Sequence, residues 1–371
     1  MKKTSTKINR QFGVTLIELM VSVAIGLFLI AAIGSVYIVA KNIFASTAAA
    51  SGMDENVRAA FNMIGTSIRQ ASFNGCSSVT GVVKGDTRGT NYAGNNWYQN
   101  FATPVQSNNA PGLNNLPTGV TGDKLTLIGV DPTREASVAS PDNDGIIHTG
   151  AHGFNTGEAL LAMTMGCDLN SYFVMTDDSD KTVIPHDSAG ANDPYNCSSN
   201  LGNSCAGGAG SSGSYGNLPA GTLILPMAAS AYFVACSEAS DDCSAADSGK
   251  KKGKSLWRRT YGGAVWSGDG QTEELINGVE NMTLEFGVDS NGDGSIDGYA
   301  APGSVGNWNQ VIAVRVHLLI ATLPDAGTRT VGSNKYKFFN SSTGVYDEIQ
   351  PADNRIYREY TSVFALRNRT S

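Results

Sequence analysis

Apolar positions change their spacing twice along this chain. From Leu19 to Ala40 they are almost continuous, LMVSVAIGLFLIAAIGSVYIVA, 22 residues without a charge, where about 20 suffice to cross a hydrocarbon core as a helix. Further on, Ala50, Met53, Val57, Phe61, Ile64, Ile68 and Ala71 recur every three or four positions, with Ile43 two turns ahead. That is one face of an α-helix. No proline interrupts either stretch, so Val14 to Gly75 is predicted as one helix of roughly 90 Å at 1.5 Å per residue. Gly26 and Gly34 in its first half permit close approach of a neighbouring helix or local unwinding.

After Asn74, Gly75 and Cys76 the pattern shortens again. Lys124 to Val130, Ala159 to Met165, Ala231 to Ala235, Met282 to Val288 and Val311 to Thr322 are apolar runs of strand length, separated by Gly, Asn, Asp and Ser clusters. The expected architecture is α+β. A long N-terminal helix, transmembrane in its first half, packs the stripe of its second half on an antiparallel β-sheet head with long loops. The divisions are 1–13, a basic leader; 14–40, the span; 41–75, the amphipathic continuation; and 76–371, the head. Residues 187–216 are rich in glycine and read as a long, mobile, disulfide-pinned insertion.

Charge orients the span. Lys2, Lys3, Lys7 and Arg10 precede it with no acid among them, which keeps the N-terminus in the cytoplasm and sends the rest of the chain outward across the membrane. No small-residue cleavage site of the secretory kind follows the apolar run. One charge stands at its start: Glu18, in Gly13-Val-Thr-Leu-Ile-Glu-Leu-Met20. A carboxylate at the head of a bilayer-length segment is costly unless something pairs with it.

These residues resemble the class III leader of type IV prepilins and pseudopilins, in which a short basic leader and a Gly precede an apolar residue and then TLIEL. The resemblance implies that a prepilin peptidase cuts after Gly13 and methylates the new amine of Val14. It makes Thr15 and Glu18 part of the assembly motif, with Glu18 pairing the N-terminal amine of a neighbouring subunit. Val14 departs from the family's usual Phe. Further segments resemble the W-type minor pilins and, more distantly, the J-type pseudopilins of type II secretion. They are Gly75-Cys76, Gly166-Cys167 with Tyr172-Phe173, Ser255 to Arg259, Leu275 to Met282, Val314 to Val316 and Val363 to Asn368.

That resemblance implies a minor pilin of the PilW family, an assembly subunit that helps prime the type IV pilus within a minor-pilin tip complex. Its implied partners are other minor pilins, the major pilin, a PilY-type tip adhesin, the prepilin peptidase and the inner-membrane assembly platform. After assembly it would sit at the pilus tip and support twitching motility, adhesion and DNA uptake indirectly. The alternative is a J-like pseudopilin of a secretion system.

Removing the four leader cations takes the formal charge from -7 to -11, which argues against broad attraction to nucleic acid. Lys250, Lys251, Lys252 and Lys254, leading to Trp257, Arg258, Arg259 and Tyr261, form a basic and aromatic patch; in an acidic chain this reads as a solvated loop entering a strand rather than a DNA site. Six cysteines, Cys76, Cys167, Cys197, Cys205, Cys236 and Cys243, all lie beyond the span, on the oxidising side, and read as disulfides. Six allow fifteen connectivities; short loops favour Cys197 with Cys205 and Cys236 with Cys243, leaving Cys76 with Cys167.

One further motif suggests a metal. Asp289, Asn291, Asp293, Ser295 and Asp297, with Gly294 at the sixth position, have the spacing of a calcium loop whose alternate residues turn oxygens inward. Position 12 is Ala300, so the usual bidentate Glu is missing, and the flanks read as strands. A weak calcium site on a hairpin is the expectation, with no cofactor required for function. His148 and His152 are spaced as ligands on a helix would be, but Gly150 and Gly153 rule the helix out. His186 and His317 read as solitary. No nucleophile and base, phosphate loop or dinucleotide fingerprint is present, so the chain is read as a non-enzyme.

Overall fold

The computed structural model describes residues 15–73, 85–86, 88, 96–98, 103–108, 112–140, 146–166, 170–189, 195–201, 218–238, 243, 253–261, 270–322, 335–351, 353 and 355–369. Helix α1, Leu16–Gln70, is 55 residues long, about 80 Å. It starts two residues after the predicted boundary and ends five before it. The early stop has a local cause: Ala71 turns to extended backbone and Ser72 takes a left-handed conformation, φ 62°. The Ser72 N–H then donates to the Ile128 carbonyl, 2.9 Å, so a strand captures the chain before Gly75 is reached.

The strands in chain order are β1 (Gly85–Asp86), β2 (Val105–Ser107), β3 (Thr121–Val130), β4 (Ala136–Ser140), β5 (Ile146–Thr149), β6 (Ala159–Met163), β7 (Asn170–Val174), β8 (Val183–Pro185) and β9 (Leu223–Cys236). They continue with β10 (Lys254–Tyr261), β11 (Gln271–Asn277), β12 (Val279–Val288), β13 (Gly298–Ala300), β14 (Val311–Ala321), β15 (Tyr336–Asn340), β16 (Val345–Ile349) and β17 (Tyr357–Ala365). All five predicted apolar runs are strands. An eleven-stranded sheet branches at the long β9, which pairs with β3, β4, β6 and β10. A second sheet has the order β13-β12-β14-β17 and is antiparallel throughout. β15 and β16 form a separate hairpin.

Two cores result. Met53, Val57, Ala60, Ile64 and Ile68 of α1 pack against Leu125 and Leu127 of β3, Tyr232 and Val234 of β9, and the inner faces of β12 and β14. A second core, built on Phe154, Leu160, Phe173 and Ile184, lies around β4 to β9 and includes no helix residue. The insertion at 187–216 is described only at 187–189 and 195–201, and there it is tied in rather than loose. The buried Asn196 side chain donates to the Val174 carbonyl, 2.7 Å, and accepts from the Val174 N–H, 2.8 Å, while Leu201 enters the second core.

The segment Leu275 to Met282 is the crossover between the two sheets. Gly278 has φ 89°, which only glycine adopts without strain. There the chain leaves β11 for β12, and the turn is held by Gly278 N–H to Lys254 O, 2.9 Å, and Ala321 N–H to Gly278 O, 2.8 Å. Asn56 of α1 donates to the Asn277 carbonyl, 3.1 Å, so the crossover is also a helix contact.

Candidate functional site: the helix and its seat

Among the described residues, the apolar side chains in the first half of α1 are exposed and outside every core. Leu16, Ile17, Phe28, Ile30, Ile33, Tyr37 and Phe44 expose between 68% and 77% of their surface, and the apolar window long enough to span a membrane has no buried residue. A surface this apolar requires lipid or other helices around it. At its start Thr15 is the N-cap: its Oγ1 accepts from the Glu18 N–H, 3.3 Å. Thr-x-x-Glu is the sequence of a capping box, and a carboxylate in the first turn also favours the positive end of the helix dipole. This local role for Thr15 and Glu18 is readable in the sequence from the Thr-x-x-Glu spacing alone. Gly13 and Val14 lie outside the described residues.

The second half is gripped from several directions. Tyr360 donates from its hydroxyl to Asp54 Oδ1, 2.5 Å, and Ser67 Oγ shares a hydrogen bond with Tyr232 Oη, 2.7 Å. Gly65 lies beneath the Phe364 ring, where a β-carbon would overlap it. At the helix C-terminus the Asn368 amide donates to the Ala71 carbonyl, 3.0 Å, and to the Arg69 carbonyl, 3.4 Å, satisfying groups that a helix end leaves open. Arg369 follows, buried, with Nη1 on the carbonyls of Trp308, 2.5 Å, and Val311, 3.1 Å. Burial pushes its guanidinium down to about 10. The ending Val363 to Asn368 is thus the clamp on the helix.

The predicted calcium turn joins β12 to β13, as a hairpin should. Its acids are occupied by the loop itself. Asp289 Oδ1 accepts from Gly292 N–H, 2.6 Å, and Oδ2 from Gly294 N–H, 2.8 Å; Asp293 Oδ1 accepts from Ser295 N–H, 2.8 Å. Asp297 Oδ2 accepts from the Ser290 N–H, 2.8 Å, and hydrogen bonds from the Ser290 hydroxyl and N–H hold the Asp297 carboxyl below its ordinary range. The remaining oxygens, Asp293 Oδ2 and Asp297 Oδ1, face the Asn291 amide nitrogen at 3.1 and 3.4 Å. Among the described residues no group of three His, Cys, Asp or Glu side chains is arranged to hold a metal. In this arrangement backbone N–H groups of the loop engage the Asp289, Asp293 and Asp297 carboxylates.

His317 is not solitary. It is buried on β14 with Nδ1 2.8 Å from Glu359 and Nε2 3.1 Å from Glu285, and its ring stacks on Phe339 at 4.4 Å. Glu285 also receives Arg315, 2.9 Å. The network pins the β15–β16 hairpin to the sheet, and its members come from positions too far apart in sequence for any spacing rule to link them. His148 lies on β5, while His152 beyond it is buried against Phe154 and bonds the Val183 carbonyl, 2.8 Å.

The basic patch is largely consumed inside the fold. Arg258 pairs with Glu273, Arg259 holds the carbonyls of Asn114 and Asn115, Trp257 donates to the Cys236 carbonyl and Tyr261 stacks on Tyr98. Lys254 bonds Thr121, 2.9 Å, and burial lowers its ammonium. Lys250, Lys251 and Lys252 lie outside the described residues. Cys236 is joined to Cys243. Cys197 is disulfide-bonded, whereas Cys76, Cys167 and Cys205 lie outside the described residues.

Residues 232–368 match the family described as Type IV Pilus-assembly protein W, and residues 8–34 match the prokaryotic N-terminal methylation motif. The first match begins at Tyr232 and ends at Asn368, both of which hold α1. No curated protein matches the sequence. Among solved structures, the type IV-like pilin TTHA1219 from Thermus thermophilus is similar at 12% identity, over 58% of this chain and 86% of that one, with a TM-score of 0.22. A superposition that loose supports no argument about the head.

Proposed function

We propose that this chain, a membrane-anchored, single-pass pilin of the PilW family, is a minor pilin that primes type IV pilus assembly within a tip complex. Pilins are structural subunits, and association with other pilus components and with the membrane comes with the family. The observation that supports the finer reading is the division of α1. One half is locked into the head by the family's own segments, and the other is an exposed apolar surface offered to neighbours. In this reading the N-terminus is cytoplasmic, the peptidase cuts after Gly13 and methylates Val14, the head folds in the periplasm, and Glu18 pairs the amine of an adjacent subunit. Twitching motility, adhesion and DNA uptake follow indirectly from assembly.

Deletion of the gene, scored for surface pili and for protein secretion, is the test. Lost piliation with normal secretion is expected; intact piliation with lost secretion would make the chain a J-like pseudopilin. Glu18→Ala should leave processing and membrane insertion unchanged while incorporation beside other pilins falls; normal incorporation would end the pairing role. Calcium at the 289–297 turn is a second part of the proposal, with Asp293 Oδ2 and Asp297 Oδ1, which now accept from the Asn291 amide, turning to the ion. Calorimetry on the full chain in detergent should show calcium uptake that Asp293→Ala abolishes, and no heat at millimolar calcium would remove the ion.

A further inference from the structure

Among the described residues, strand β17 is the last strand of its sheet and pairs on one side only, with β14. The hydrogen bonds Leu366 N–H to Ile312 O and Thr322 N–H to Ile356 O fix the phase of that ladder. Pairs alternate along an antiparallel ladder, so the even-numbered residues from Ile356 to Leu366 turn their backbone groups to β14. Tyr357, Glu359, Thr361, Val363 and Ala365 turn theirs away. Among the described residues no backbone group of these five has a hydrogen-bond partner on the open side. Val363 is 47% exposed and Thr361 and Ala365 are exposed as well. The edge carries no proline or lysine, no bulge interrupts its register, and from Tyr360 to Ala365 it has no charge. Isolated proteins usually blunt such an edge.

The contacts with α1 say what can lie there. Tyr360 meets Asp54, Phe364 meets Gly65, and Asn368 meets Arg69 and Ala71. Position rises together along both elements, so β17 runs parallel to α1 and beside it, continuous with the helix surface that neighbouring subunits share. A subunit anchored in the same membrane has its own helix pointing the same way. To pair antiparallel with β17 it must present a strand that runs antiparallel to its own helix. Within this chain's second sheet, β13 has that polarity and lies at the other edge, but its three residues match only a third of the nine in β17. A second copy using that edge would therefore leave most of β17 unpaired.

We infer that the open edge of β17 is a docking site for a strand from the head of a different pilin, anchored in the same membrane and running antiparallel to its own helix. This rests on the pilin assembly reading above and adds to it a backbone contact between heads. Proline at Val363 is a clean block, because that N–H takes no part in the β14 ladder and edge positions with outward N–H tolerate proline. Val363→Lys is a second block that leaves the backbone intact.

The experiment places the photocrosslinking residue p-benzoylphenylalanine at Ala365 of the full chain in piliated cells, with the adduct mapped by mass spectrometry. An adduct to a head strand of another chain bearing the methylation motif is expected, reduced about tenfold by Val363→Pro and by Val363→Lys while the head's unfolding midpoint is retained. No adduct, an adduct to a second copy or to a protein without a pilin helix, or an adduct that survives Val363→Lys would overturn the inference. If Glu18→Ala still impairs incorporation in that case, the assembly reading stands and only the edge contact fails.

Discussion

Between Leu16 and Phe44 the apolar side chains of α1 lie exposed among the described residues, whereas from Met53 to Ile68 those facing the head are sealed beneath two sheets. Both stretches belong to one unbroken helix. Their sequences differ in how apolar positions are distributed: all around the first, in one stripe along the second. A helix apolar on every side is made for lipid or other helices, and a striped one for the surface of a globular head. The lesson is that stability and assembly are assigned to different ends of the same element. Substitutions in the second half should be felt by the fold, and those in the first half by the company the chain keeps.

The largest test of that division is Ile64→Ala. Ile64 is fully buried between the sheets, and its truncation should destabilise the head by about 3 kcal/mol in urea unfolding of the full chain in detergent. Ile30→Ala, on the exposed half, should leave the same midpoint unmoved. Equal losses would mean that the halves are not independent. Gly65→Val comes next. Its new side chain must displace the Phe364 ring, and overpacking of that kind should cost about 2 kcal/mol, read as a lower unfolding midpoint with an unchanged slope.

The division itself was legible in the sequence, because it depends only on the period of apolar residues, and the strand runs that seat the stripe were legible for the same reason. The crossover at Asn277-Gly278 and the clamp at Asn368 stood in segments whose family resemblance was visible but whose purpose was not. A purpose of that kind is a contact between residues hundreds of positions apart. The His317 network, whose partners lie 32 and 42 positions away on neighbouring strands, was unreadable because strand pairing brings them together and no local spacing does. At the Asp289 to Asp297 turn spacing was informative but incomplete: it placed oxygens on alternate residues and could not say that the loop's own N–H groups would engage them. The Thr15 and Glu18 cap is the opposite case, a contact between residues three positions apart that the sequence spells out in full.

Asn368→Ala is a smaller test of the gripped half. It removes the amide from the Ala71 and Arg69 carbonyls, and the loss should be about 1 kcal/mol. Its effect should be local: hydrogen exchange ought to rise in the last turn of α1 and leave Leu16 to Phe44 unchanged. Faster exchange along the whole helix would show that the clamp governs both halves.

The smallest effect expected is a pH dependence that the head has and the exposed half lacks. Burial raises the Asp353 carboxyl, but hydrogen bonds from Arg355 Nε, 2.7 Å, and Tyr357 Oη, 2.8 Å, with the Arg355 charge, outweigh it and hold the group below its ordinary value. Burial lowers the Arg355 guanidinium, and its pairing with Glu280 and Asp353 outweighs that and raises it. A carboxyl depressed on folding stabilises fully above its unfolded value, about 3.9, and loses that contribution as pH falls through the lower folded value. The head's unfolding midpoint should therefore be insensitive to this group between roughly pH 7 and 5, where even an unperturbed aspartate is ionised, and should fall only in stronger acid. Asp353→Asn should flatten that acid limb while leaving insertion of α1 into bilayers unaffected at every pH. An acid limb identical in the variant would assign the loss to other carboxylates, and a change in insertion would mean that the first half of the helix is not independent of the head after all.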